Sequence, residues 1–437
     1  VPGSNVLTEP GRAGRHVFPG FDALRLLAAV AVMFSHAFVI ANADGPTPPD
    51  TWVYGVIYGL GTYAVNSFFI MSGFLLAGSL ELNPSGITYA VNRSLRILPA
   101  YFFYVLILLL VIGPLVTAAT LTEYFSSRQF SAYLRWGIDS FKDFGLPGVF
   151  NYEGSLSQVL NGSLWSLHYE ALSYLFLLVV WALLRKSDLV AVFVVGLAVL
   201  TTGSELVAHW LSPIAATLPY FAGGVLMHAV YRRVRVNSAV AWISAGCFLA
   251  ACAVGVAEVA FSIFGSYLIM FVGLRSHFMT AVIARRGDIS YGMYLFGWPV
   301  EQVVRQVTQT SSPMLVFLIS VPAAAVFAYA SCHLVERPAM RVRRPVADAL
   351  LRAVDLLLNA ARASRVEAMW GGQIALIASG AFYLLSPRRS WYILSTLGGV
   401  AGATLVGALI AGTVAAFLHR LSRRRGAGRD SAAGTVN

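Results

Sequence analysis

Two residues in the first apolar stretch have the chemistry of a reaction centre. Arg25 and His36 lie eleven residues apart in FPGFDALRLLAAVAVMFSHAF. On a helix, eleven steps make three turns plus about 20°, so both side chains share one face about 16 Å apart along the axis. An ionisable group inside a bilayer costs several kcal/mol, which makes each one a functional candidate. Arg25 offers a fixed cation for an anion or a developing oxyanion, and His36 a proton acceptor that works near neutral pH. The plainer reading is that Arg25 reaches the interface along its own stem and His36 hydrogen-bonds a neighbouring helix. Asp22, three residues before Arg25, is placed to pair with it. Arg93 and Arg96, three apart, share a helix face at the cytoplasmic mouth; such a pair can hold phosphates, or simply anchor the helix end. Ser72 and Gly73 interrupt an apolar helix, where glycine permits close approach to a neighbouring helix. Glu170 stands beside Trp165 and His168 near a helix end. Glu336 precedes Arg337-Pro338 at another helix end, where a local ion pair would account for it.

These residues must be positioned by membrane helices. Of 437 residues, 57% are hydrophobic and 12% charged, too few to give a soluble core a polar surface. Apolar runs near the ~20 residues that cross a bilayer recur along the chain. They place spans at 21–41, 57–80, 95–119, 164–184, 188–206, 213–231, 238–255, 257–274, 289–308 and 313–335, with two more at 367–386 and 391–419. The expected fold class is all-α, a polytopic transmembrane helix bundle of about ten core helices plus two C-terminal ones. The run 21–40 imitates a signal peptide, with Arg12 and Arg15 before it and Ala41-Asn42-Ala43 after it. It is long for one and carries Arg25 and His36, so a retained first helix is expected.

The net charge of +11 is carried almost wholly by arginine, since Lys142 and Lys186 are the only lysines. In a soluble protein that balance would point to nucleic acid. Here the arginines fall in every second loop, which by the positive-inside rule puts both termini in the cytoplasm and calls for no nucleic-acid partner. Arg128, Arg135, Lys142, Arg305 and Arg388-Arg389 break the pattern. Cys247, Cys252 and Cys332 lie in apolar runs without metal spacing, so they read as packing residues and no metal is expected. Residues 120–163 form a long outer segment rich in aromatics. Residues 345–365 carry one polar stripe (Asp348, Arg352, Asp355, Asn359, Arg362), which marks an amphipathic helix at the interface.

FPGFDALRLLAAVAVMFSHAF, FFIMSGFLL, NRSLRILPAYF, GSLWSLHYEALSYLF, ISYGMYLFGWPV and LVERP, taken in order, resemble the acyltransferase-3 family, the multi-pass O-acyltransferases of bacterial glycans. The likeness covers about 18–340. It divides the chain into a cytoplasmic segment 1–20, a transmembrane acyltransferase domain 21–340, an interfacial linker helix 341–366, a C-terminal hairpin 367–421 and a disordered basic and polar tail 422–437. It implies that acyl-CoA, as acetyl-CoA, is a co-substrate rather than a bound cofactor, with its phosphates on Arg93 and Arg96. Ser72 and Gly73 would then lie near the acyl chain. The acceptor would be a glycan or lipid-linked sugar, with Trp165, His168, Glu170, Tyr291 and Glu336 on the acceptor side or in support. Glu170 could orient His36, bind sugar hydroxyls or face the outer water. Segment 120–163 could stack sugar rings or anchor in the interface. Relatives commonly carry a histidine where this chain has Gly297; that role is lost here or moved, with His168 the candidate.

On this reading His36 takes the proton of the acceptor hydroxyl and Arg25 binds the donor or the developing negative charge. No Gly-x-Ser-x-Gly is present, so direct transfer is expected rather than a serine acyl-enzyme. The alternative is a transporter or flippase of a lipid-linked or anionic substrate, which buried Arg and His also suit. No internal repeat or pair of broken helices supports it.

Overall fold

The computed structural model describes residues 19–41, 52–134, 145–151, 159–184, 190–191, 194–196, 216–231, 233, 236–275 and 287–363. Among them there is no strand. In chain order the helices are α1 (Pro19–Ala41), α2 (Trp52–Leu82), α3 (Gly86–Ile107) and two short ones, α4 (Leu121–Ser126) and α5 (Arg128–Ala132). They continue with α6 (Trp165–Leu184), α7 (Leu218–Val230), α8 (Ser238–Ala253), α9 (Ala257–Arg275), α10 (Ser290–Thr308) and α11 (Pro313–Ser331). The last are α12 (Arg337–Arg341) and α13 (Arg343–Ala363). Among the described residues six helices are long and apolar enough to cross a membrane: those of α1, α2, α3, α6, α9 and α11. The expectation of an all-helical membrane bundle is met. α10 is too polar to qualify by composition, because it carries Glu301, Gln302 and Arg305.

The chain divides into two compact units, Val1–Arg343 and Arg344–Asn437. The site lies in the first. The polar stripe expected at 345–365 falls on α13, Arg343–Ala363. The N-terminal segment, most of the span expected at 188–206, much of the arginine-bearing loops, both C-terminal spans and the tail lie outside the described residues.

α3 differs most from expectation. It starts at Gly86, nine residues before the expected 95, because Ser85 caps it by accepting from the Thr88 amide at 3.2 Å. Its first turns, GITYAVNRS, are too polar to read as a span. Arg93 and Arg96 therefore stand inside the helix, two turns or more from its start. α3 continues through a π-helical turn, Leu108–Ile112, into Gly113–Val116. α7 is shorter than the expected 213–231.

Close backbone approaches fix the packing around the site. A Cβ at Gly73 of α2 would meet the Phe221 carbonyl oxygen at 2.1 Å, and one at Gly224 of α7 would meet that of Ile70 at 2.0 Å. Only glycine lets α2 and α7 lie this close. α1 and α10 run parallel: Arg25 faces Asp288 just before α10, Met33 packs on Gly297, and His36 meets Trp298. Pro299 leaves the Leu295 carbonyl without its helical donor. The Asn161 side chain fills the gap, donating Nδ2 to that oxygen at 2.9 Å.

Candidate active site

A cluster of charges closes one end of the site. The Arg96 fork donates to Asp288 Oδ2 at 2.6 Å and to Glu336 Oε2 at 3.2 Å. Glu336 is brought there by a π-helical turn, Cys332–Glu336, and also accepts from Ser331 Oγ at 3.1 Å. Its partner is thus an arginine 240 positions away and not the adjacent Arg337. Arg25 bonds Asp22 at 3.2 Å, as its spacing predicts, and lies 3.7 Å from Asp288. Burial pushes the Asp288 carboxyl up, but Arg96, Arg25 and the bonds from Ser290 outweigh it and hold the group below the usual carboxylate range.

Arg93 is the exception. Among the described residues no carboxylate lies within ion-pairing distance of it, and its Nε is buried without a hydrogen-bond partner. It borders a partly open cavity of about 90 Å³. Around that cavity the structure assembles Arg25, Arg93, Arg96, Ser72, Glu170 and Tyr291, residues drawn from α1, α2, α3, α6 and α10. Ser72 Oγ donates to Glu170 Oε1 at 3.3 Å, and the Tyr174 hydroxyl also donates to that oxygen. Glu170 therefore faces the cavity, and the side chains bonded to it are Ser72 and Tyr174, not His36. Tyr291 donates to the Ile97 carbonyl at 3.1 Å, which ties α10 to α3. At the far end of the cavity, Tyr294 and Ser166 share a hydroxyl–hydroxyl bond of 2.6 Å. A more open cleft of about 220 Å³ lies between α3 and α6 and shares Arg93, Ile97 and Tyr174 with the cavity.

His36 stands beyond this cavity and does not line it. Its ring meets the Trp298 ring nearly edge-on, centroids 4.8 Å apart. Trp298 lies one helical turn, about 6 Å, beyond Tyr294 on α10. Trp298 Nε1 and Gln302 Nε2 both donate to the Val159 carbonyl at 3.1 Å, so the segment before α6 clamps this level of the bundle. His36 Nδ1 is buried without a partner.

Three of the expected site residues do not line this cavity. Gly73 packs on α7 and does not line the cavity. Trp165 is 49% exposed, and His168 is exposed with its ring against Tyr169. A side chain at Gly297 would strike Met33 Cγ at 2.8 Å, so α1 occupies the space a histidine there would need. Of segment 120–163, the described Tyr124, Phe125 and Phe130 pack on one another, and Tyr124 is bonded to the Leu109 carbonyl. Among the described residues no group of three His, Cys, Asp or Glu side chains is placed to hold a metal.

Sequence reasoning missed Asp288, Tyr174, Ser166 and Tyr294. Ser166, Glu170 and Tyr174 recur every four residues, a signal that was available. Asp288 follows Arg285, Arg286 and Gly287, and so looks like an ordinary loop charge.

The family profile described as an acyltransferase domain matches residues 18–333. Nodulation protein 10 of Rhizobium leguminosarum bv. viciae is 28% identical over 353 residues, 74% of this chain and 93% of that protein. The O-acetyl transferase of Shigella phage Sf6 is 26% identical over 295 residues, 65% of this chain and 85% of that one. No solved structure matches. With arginines, a carboxylate and hydroxyls gathered inside a bundle of apolar helices, and with that profile over most of its length, the chain belongs to the acyltransferase-3 family and is a multi-pass membrane O-acyltransferase.

Proposed function

We propose that this chain moves an acetyl group from acetyl-CoA, on the cytoplasmic side of a bacterial inner membrane, to a hydroxyl of a glycan or lipid-linked sugar on the outer side. The observation that carries the reading is Arg93, a half-buried cation on the wall of the cavity with no carboxylate in ion-pairing distance among the described residues. A cation so placed is suited to an anionic ligand group or a polarised thioester carbonyl. Arg96 and Arg25 are ion-paired with Asp22, Asp288 and Glu336, so they frame the site while Arg93 faces the donor. The acetyl group is chosen because a relative is named an O-acetyl transferase. The orientation, with both termini cytoplasmic, follows from the alternation of arginine-rich loops.

The step balances as follows. His36 takes the proton of the acceptor hydroxyl while its oxygen attacks the thioester carbonyl. The C–O bond forms, the oxyanion is held by guanidinium charge, and its collapse breaks the C–S bond. The thiolate then receives the proton from the His36 imidazolium. The thioester runs along the cavity from Arg93 toward Tyr294, and His36 waits one turn further.

The experiment is thiol release from acetyl-CoA by the purified protein, with and without an envelope glycan fraction, beside a comparison of acetyl esters on envelope glycans with and without the gene. Acceptor-dependent thiol release and loss of esters in the deletion are expected. A folded protein that leaves acetyl-CoA intact, in cells whose glycan esters do not depend on the gene, contradicts the reading.

A further inference from the structure

Glu301 is the buried acidic group that this mechanism leaves without a task. It is 0% exposed in α10, and neither carboxyl oxygen has a hydrogen-bond partner. Among the described residues no cation forms an ion pair with it. A lone carboxyl at that depth costs several kcal/mol, a cost that sequences rarely keep without a use.

Its place follows from helix register. Gly297 packs on Met33 of α1, and Trp298 packs on His36. Glu301 is four residues after the first and three after the second, so it points between their two directions, about 40° from one and 60° from the other. α1 and α10 run parallel. One turn beyond Gly297 is therefore level with one turn beyond Met33, where His36 and the fully buried Ala37 stand. Nδ1 of His36 is itself buried without a partner. The other carboxylates of the site are engaged: Glu170 by Ser72 and Tyr174, Asp288 and Glu336 by Arg96.

We propose that Glu301 is the positioning carboxylate of His36. When His36 takes the acceptor's proton, one ring N–H faces the reacting oxygen and the other donates to Glu301, which fixes the ring and balances the imidazolium charge. The two groups do not touch in the structure; such bonds commonly tighten only in the complex with substrate. The proposal rests on His36 being the base.

The test is steady-state kinetics of Glu301→Gln and Glu301→Asp beside wild type, with thermal unfolding in the same detergent. Glu301→Gln should lower kcat about a hundredfold or more. It should leave the KM for acetyl-CoA within about twofold, since Glu301 does not touch the donor. Its unfolding temperature should not fall, because an amide of the same shape replaces a carboxyl whose oxygens have no partner to lose. Glu301→Asp should recover part of kcat. A kcat close to wild type in Glu301→Gln, or a loss that merely tracks loss of folded protein, overturns the proposal. His36→Ala is measured alongside. Inactive His36→Ala with active Glu301→Gln removes Glu301 and keeps the base, whereas active His36→Ala removes both.

Discussion

Arg93 and Arg96 are one residue type three positions apart, and their surroundings give them different tasks. Arg96 holds two acids, while Arg93 holds none among the described residues. Arg93→Ala should therefore keep the protein folded and raise the KM for acetyl-CoA about tenfold or more, with kcat at saturation largely kept. Lysine should rescue only in part, since it lacks the planar fork. An unchanged KM would leave Arg93 as a structural cation. Arg96→Ala strands two acids and should cost about 3–5 kcal/mol, read as a lower unfolding temperature before any kinetic effect. Asp288→Asn should act in the same direction. The sign of its pH dependence is set by its lowered folded value. The stabilisation from Asp288 is complete above its unfolded range and is lost only as pH falls through the lower folded value, so between about pH 5 and 8 it should be flat. Unfolding temperatures of wild type and Asp288→Asn whose difference shrinks within that window would contradict this. At this scale the sequence carried the residue types and the Arg25–Asp22 pair, which are local. It could not carry Arg96–Glu336, which depends on a π-helical turn re-aiming Glu336.

At the scale of elements, apolar runs located α1, α6 and α11 closely, because each is a nearly uncharged stretch of about membrane length. They failed for the start of α3 and gave only a weak signal for α10, for one reason: both helices carry site residues, and polar site residues dilute the hydropathy that marks a span. α10 does show a second signal. Tyr291, Tyr294, Trp298, Glu301 and Arg305 recur at steps of three and four, a polar stripe on one face that runs from the cavity past His36. The α2–α7 contact was half legible, since Gly73 was read as a point of close approach but its partner was not identifiable. Gly73→Ala places a methyl 2.1 Å from the Phe221 carbonyl oxygen, so the helices must part. The expected cost is about 1–3 kcal/mol, visible as a fall in unfolding temperature with the donor KM little changed. Unaltered stability would mean that α2 and α7 are not held at this distance.

For the whole molecule, the proposed function requires two substrates from opposite sides of the membrane to meet between Arg93 and His36. Orientation is thus part of the mechanism. In a background without the native cysteines, a single cysteine in loop 42–51 or segment 120–163 should label with an impermeant reagent from outside intact cells. One at Asn92 or in loop 232–236 should not. The reverse pattern would put the donor site on the wrong side. The central claim is that His36 is the group that makes transfer possible, and one measurement bears on it most directly. Wild type and His36→Ala, matched for folded protein in oriented proteoliposomes, are supplied with labelled acetyl-CoA on the Arg93 side and glycan acceptor on the His36 side. The account predicts labelled ester from wild type, and a rate lower by about a hundredfold or more from His36→Ala with donor binding intact. Near-normal ester formation by His36→Ala would contradict it.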